Sequence, residues 1–425
     1  MLRFLRRAVT VLLIAALVLI PVAGGLAVQT RPSVVLSAPP DATAAARARD
    51  VARTFRGVVG RGATRGDVTV SLAEINAVLA SLSRVSPGLG GAGSIAGDQL
   101  TLELSAALWP ETLWANLDLR LASSDDGPRV VSARIGHLPI PPAVVVPALR
   151  LALDAYLGAG LGGQLIDAVK RVRIGDGEIS VAFALDEADR AAVYRQVKNQ
   201  VRAFAGGTDA DRIHAHLRAI DRAGDERRLP RGGSVLPYLR HVAGAAKGDD
   251  PEELKAALLA LTLYCGEDAF GPAVGASLGP GMRGKRNNCD GTTLGGRDDL
   301  KRHFIVSAGI YAARTGTIAF GMGELKELLD SNAGGSGFSF DDMAADLAGA
   351  RFAQALIETP AGDWPALLAG IGTEADLMPS LDDLPSGLTE AEFIERFGDV
   401  DSPAYAAEIA EINRRLDAMP LYAPR

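Results

Sequence analysis

Between Gln99 and Leu185 apolar residues recur at every second position, and beyond Leu185 they recur at helical spacing. No other feature restricts the fold of this chain as tightly. In DQLTLELSAAL, Leu100, Leu102 and Leu104 alternate with Thr101, Glu103 and Ser105; in WANLDLRLAS, Leu117, Leu119 and Leu121 alternate with Asp118 and Arg120. Period two sends successive side chains to opposite faces, so the block predicts an antiparallel sheet with one buried face. RVVSARIGHLPI supplies a third strand, and VRIGDGEISVAFAL a closing hairpin turned at Gly175-Asp176-Gly177. Upstream, DVTVSLAEINAVLASLSR reads as a strand and then a helix, with Ser71 as N-cap and Glu74 completing a capping box. PPAVVVPALRLALDAYLGAGLGG reads as apolar helices broken at Pro147 and the glycines. After Leu185 come helical patterns with acidic starts, such as Asp250-Pro251-Glu252, where Pro takes the first helical position. No strand is expected from there to the C-terminus.

At the other end, MLRFLRR carries Arg3, Arg6 and Arg7, and Ala8 to Val28 contains no charge. About 20 apolar residues span a bilayer core of ~30 Å. Arginines on the leading side place the N-terminus in the cytoplasm and the rest of the chain beyond the inner membrane, in the periplasm. A secretory signal cleaved near AGGLA is the alternative; the run is longer than the 7–15 residues usual for such signals. The expected class is therefore α+β: an N-terminal transmembrane helix (1–28), a linker (29–45), an antiparallel sheet with a long helix forming a cradle (46–187), then an all-α helical domain (188–425).

A chain of 425 residues exceeds one ordinary domain, and a net charge of -7 excludes a basic nucleic-acid-binding face. Its two cysteines, Cys265 and Cys289, flank a Gly/Pro/Arg loop. In an oxidising compartment such a pair predicts a disulfide, and closing a loop of about 25 residues stabilises by roughly 3 kcal/mol in the chain-entropy model.

Chemistry-bearing residues concentrate between 297 and 355. In RDDLKRHFIVSAG, His303 and Ser307 are four apart and share a helix face. GELKELLDS brings Lys326, Glu327 and Asp330; GGSGFSFDDMAADLAG brings Asp342 and Asp346, with Ser339 as N-cap. Asp346 stands among alanines and Leu347, which is an unusual place for a solvated acid. His303 with Glu327, Asp330 and Asp346 has the residue types of a hydrolytic metal site or of metal-free proton transfer. Ser307, Lys326 and Asp342 are candidate binding residues. There is no HExxH, no GxSxG and no GK[ST] after GGSGFS, so the residue types fix no cofactor. A structural polar network, with His303 bonding a carboxylate across helices, accounts for the same residues.

Two resemblances accompany these readings. Asn76 and Leu79, followed by Gly136, Leu138, Ile140 and Pro141, fit the N-x-x-L helix and G-x-L-x-[IP]-P segment of the YpmS-like membrane-anchored extracytoplasmic proteins, over about 67–185. Asp299, His303, Ser307, Lys326, Glu327, Asp330, Asp342 and Asp346 match the pattern of the YfiM-like predicted periplasmic lipoproteins over about 297–355, with Leu300 where that family has Lys. Neither resemblance brings an activity. Two functions follow as expectations: a non-enzymatic envelope protein binding lipid or an envelope partner, or a metal-dependent or acid/base hydrolase of an envelope substrate.

Overall fold

The computed structural model describes residues 25–34, 41–60, 64–85, 88–108, 112–157, 160–189, 208–245, 250–267, 271–274, 276–279, 287–313, 336–360 and 369–423, with a few single positions between, Lys326 among them. The chain divides into two compact units: Met1–Pro39 with Ala46–Tyr194, and Pro40–Ala45 with Arg195–Arg425. A helix, α1, covers Ala42–Gly60.

The first unit is α+β. A short strand β1 (Val28–Gln29), then β3 (Leu89–Ala96), β4 (Gln99–Leu108), β5 (Leu113–Ala122), β6 (Arg129–Ile135) and β7 (Leu138–Ile140) form one antiparallel sheet in the order β3-β4-β5-β6-β7, with β1 added to β5. A second sheet, β2-β9-β8, joins Arg65–Ser71, Glu178–Ala184 and Val169–Gly175. Its hairpin turns at Asp176 and Gly177, both at positive φ as a type I′ turn requires. The alternating leucines do what period two demands: Leu100 is buried with Val172, Ile174 and Ile179 between the sheets, and Leu102 and Leu121 pack on them.

Helix α2 (Leu72–Val85) opens with the expected capping box. The Ser71 N–H donates to Glu74 Oε2 at 2.7 Å and the Glu74 N–H to Ser71 Oγ at 3.2 Å. Asn76 on this helix grips β3 twice, accepting from the Gly93 N–H at 2.7 Å and donating to its carbonyl at 3.1 Å. Two further helices, α3 (Pro142–Leu157) and α4 (Leu161–Ala168), lie between β7 and β8.

The stretch read as a linker is in part sheet and in part docked on it. Val28 and Gln29 pair with Ala115 and Trp114. Ser105 and Asn116, both buried, then take up the following backbone: the Ser33 N–H donates to Asn116 Oδ1 at 3.0 Å and to Ser105 Oγ at 3.1 Å, and the Asn116 amide donates to the Arg31 carbonyl at 2.9 Å. Unpaired buried backbone is expensive, so those two polar side chains in an otherwise apolar pattern are explained. The end of the apolar run, Leu26–Val28, thus belongs to the folded unit. Residues 1–24, which carry the rest of the expected span, lie outside the described residues; among the described residues no helix is long and apolar enough to cross a membrane.

The second unit is mainly helical: α5 (Ala210–Asp225), α6 (Leu236–Ala245), α7 (Pro251–Leu261) running into a π-turn (Thr262–Gly266), α8 (Asp298–Ala313), α9 (Phe340–Glu358), α10 (Glu390–Phe397) and α11 (Pro403–Asp417). It is not strand-free as expected, because Gly233–Ser234 pairs in parallel with Thr292–Thr293, a pairing too short to show periodicity. Cys265 and Cys289 form the disulfide, with Cα atoms 5.4 Å apart. Its Cys289 carbonyl accepts from the buried Lys301 ammonium at 3.1 Å, which ties the bridge to α8. His216 is buried on α5 and meets Glu253 at 2.8 Å.

Candidate active site

Helices α8 and α9 approach closely because their facing residues are small. Ala308, Ala345, Ala348 and Gly349 are buried there, and a Cβ at Gly349 would collide with the backbone of Phe304. That closeness lets short acidic side chains on α9 reach a ring on α8. Asp342 and Asp346 are four apart and share a face. Between them sits His303, with Nδ1 3.1 Å from Asp346 Oδ2 and Nε2 3.4 Å from Asp342 Oδ2. Ser307, one turn on from His303, donates to the other Asp346 oxygen at 2.6 Å. All four side chains are buried.

The group forms one wall of a pocket of about 520 Å³. The segment Ser336–Phe340 also borders the pocket. Phe338 and Phe340 join a ring cluster with Phe393, Phe397 and Tyr405, while Ser336, Gly337 and Ser339 line the pocket. The segment is fixed by Phe338 pairing in both directions with Leu388 at 2.7 and 2.9 Å. Gly337 has a φ of +89, and its Cα side abuts Gly387, so no larger residue fits. Ser339 also caps α9, accepting from the Asp342 N–H at 3.2 Å.

Arg297 closes one edge. Its guanidinium bonds Asp299 (2.7 Å), Asp341 (2.5 Å) and Asp342 (3.3 Å). It follows Gly295 and Gly296, both at positive φ, and the Gly295 N–H is held by Glu374 at 2.7 Å. Arg297 was not singled out from sequence; its signal was an arginine between a Gly-Gly turn and two acids at a helix start. Asp341, in the first turn of α9, is buried against Arg297.

The electrostatics follow from this packing. Burial works against charge on His303, but the adjacent Asp346, aided by Asp342, outweighs it despite Lys326, and the imidazole is held above its ordinary value. Burial pushes the Asp342 carboxyl up and Asp299 adds to this; His303, Lys326 and Arg297 oppose it without prevailing. Arg297 holds Asp299 below the usual carboxylate range. The result is an imidazole and a carboxyl that both hold a proton more readily than they would in water.

Of the residues singled out from sequence, the structure brings together His303, Ser307, Asp342 and Asp346, and Lys326 lines the same pocket. Glu327 and Asp330 lie outside the described residues. Asp342 and Asp346 take opposite nitrogens of one ring, so they do not converge on a shared point; among the described residues no group of three His, Cys, Asp or Glu side chains could hold a metal ion. Ser307 donates to Asp346 and has no bond to His303, so it is not arranged as an imidazole-activated nucleophile. What the arrangement can do is move a proton: Asp346 orients and balances the imidazolium, whose other side faces Asp342 at the pocket wall. No family model, curated protein or solved structure matches this chain.

Proposed function

We propose that the second unit carries an acid/base hydrolytic site and that Asp342 is its proton-transfer group. The observation that carries this reading is His303 buried between two carboxylates at the wall of a 520 Å³ pocket. A carboxyl with a raised pKa is a better base than a solvated one, and once protonated it can return that proton. Asp342 takes a proton from an attacking water, whose oxygen bonds the electrophilic centre. The proton then passes to the leaving group as its bond to that centre breaks, and the His303 imidazolium, balanced by Asp346, compensates the carboxylate before the proton arrives and after it has left.

The substrate and address are proposed from sequence. The uncharged run following Arg3, Arg6 and Arg7 supports a single-pass protein of the inner membrane with its bulk in the periplasm, and the disulfide suits that compartment. The substrate would then be an envelope component. The YpmS-like and YfiM-like resemblances, themselves proposals, agree with this address.

The test is to incubate the purified protein with envelope fractions and follow released products by mass spectrometry. Release by the parent that is lost in Asp342→Asn and His303→Gln supports the reading. Release unchanged in both variants, or absent in the parent, sinks it. If the parent instead retains an envelope molecule unaltered, the pocket belongs to a binding protein.

A further inference from the structure

Helix α3 (Pro142–Leu157) inverts the usual surface pattern. A surface helix buries its apolar stripe and shows its charges to water. Here Val144, Ala148, Leu151 and Ala155, at spacings of four, three and four, form an exposed stripe on one face. Val144 is 48% exposed and Leu151 72%. The two charged residues of the helix turn away from that stripe and are used up: Arg150 pairs with Asp167 of α4 at 3.3 Å, and Asp154 accepts from the Gly162 N–H at 2.7 Å. At 1.5 Å per residue the helix is about 24 Å long, a contiguous apolar strip of the sort that marks an interaction surface.

The route of the chain says what covers it. The uncharged run that begins at Ala8 reaches the folded unit at Leu26, whose carbonyl accepts the His137 N–H at 2.7 Å. From His137 only β7, three residues or roughly 10 Å of strand, leads to α3. Trp114, paired opposite Gln29 at the same place, adds a ring of the kind favoured at membrane–water boundaries. We infer that the exposed face of α3 lies in the interface of the lipid bilayer that residues 8–24 enter, as a second, in-plane membrane contact. This rests on the membrane-anchored part of the proposed function. An apolar face of this type sinks about 5–10 Å into the headgroup boundary.

The experiment uses the full chain with Leu151→Cys carrying a polarity-sensitive fluorophore, reconstituted into phosphatidylethanolamine–phosphatidylglycerol vesicles containing spin-labelled lipid. Glu178→Cys, on the exposed turn of the β8–β9 hairpin, is the reference. A blue shift with several-fold stronger quenching at 151 than at 178 is expected. Equal, weak quenching at both positions in a chain that floats with the vesicles overturns the inference and leaves the anchor standing. A chain that does not float overturns both. Cross-linking between 151 positions that rises with protein density, without lipid quenching, assigns the face to a second copy and also overturns it.

Discussion

At the scale of single residues, His303 and Asp342 make opposite demands from those of a solvated pair. A His whose pKa is raised on folding contributes stability that is complete below its unfolded value, about 6.5, and is lost as pH rises through the higher folded value. Asp342, also raised, holds its proton more tightly in the fold than outside it; its contribution too is present at low pH and is lost as pH rises through its folded value. The urea midpoint of the parent should therefore decline as pH rises above about 6.5, and His303→Gln should flatten that decline. An identical slope in the variant would remove His303 as its source. Asp346→Asn leaves a buried imidazolium short of its main partner and should cost about 3 kcal/mol, whereas Ser307→Ala, which removes one hydrogen bond, should cost about 1 kcal/mol. Equal losses in chemical denaturation would mean that Asp346 acts only as an acceptor for Ser307. His303, Ser307 and Asp346 were legible in the sequence because an i,i+4 pair and an acid among alanines are local signals. Arg297 was not, because its partners lie from two to 45 positions further along the chain, at Asp299 and Asp342, and meet only in the fold.

At the scale of elements, the site depends on how closely two helices pack. Gly349→Ala places a methyl against the Phe304 backbone, which cannot give way as a flexible side chain would. Overpacking of this kind costs about 1–3 kcal/mol or more, and here it should also part His303 from Asp346. The check is a loss of thermal stability together with a downward shift of the His303 titration seen by NMR; a variant as stable as the parent would show that the helices slide freely. Behind Gly337 and Ser339, Phe338→Ala should cost about 3–5 kcal/mol, because its fully buried ring meets Phe340, Phe393 and Tyr405. Strands rich in alternating leucine were readable, as was the capping box of α2. Strand β3 was not: its LGGAGSIA has a single β-branched residue, Ile95, among three glycines, and Leu79 and Asn76 of α2 pack on those glycines. Tertiary contact, not propensity, makes that strand.

At the scale of the whole molecule, the disulfide is the one covalent constraint beyond the backbone. Cys289 is fully buried, and the bridge closes a separation of 24 residues. Its reduction should lower the stability of the second unit by about 3 kcal/mol, and thiol trapping by reductant and alkylator should proceed at the rate of opening of that unit. Trapping within seconds under native conditions would contradict the burial. The division into a sheet-bearing and a helical part was visible as a change of period near Leu185, while the places where the backbone docks were not, since they depend on Ser105 and Asn116, whose sequence context is ordinary sheet. The strand Val28–Gln29 adds a matter of timing. The bond after AGGLA that a signal peptidase would cut lies directly at the start of that strand, and a protease needs its substrate extended and unpaired. Once Val28 has joined the sheet, that bond is closed to a protease. On the anchored reading proposed above, the pairing therefore keeps the N-terminal segment attached; were a signal peptidase to act here, slowing the first unit's folding would raise the share of shortened chains.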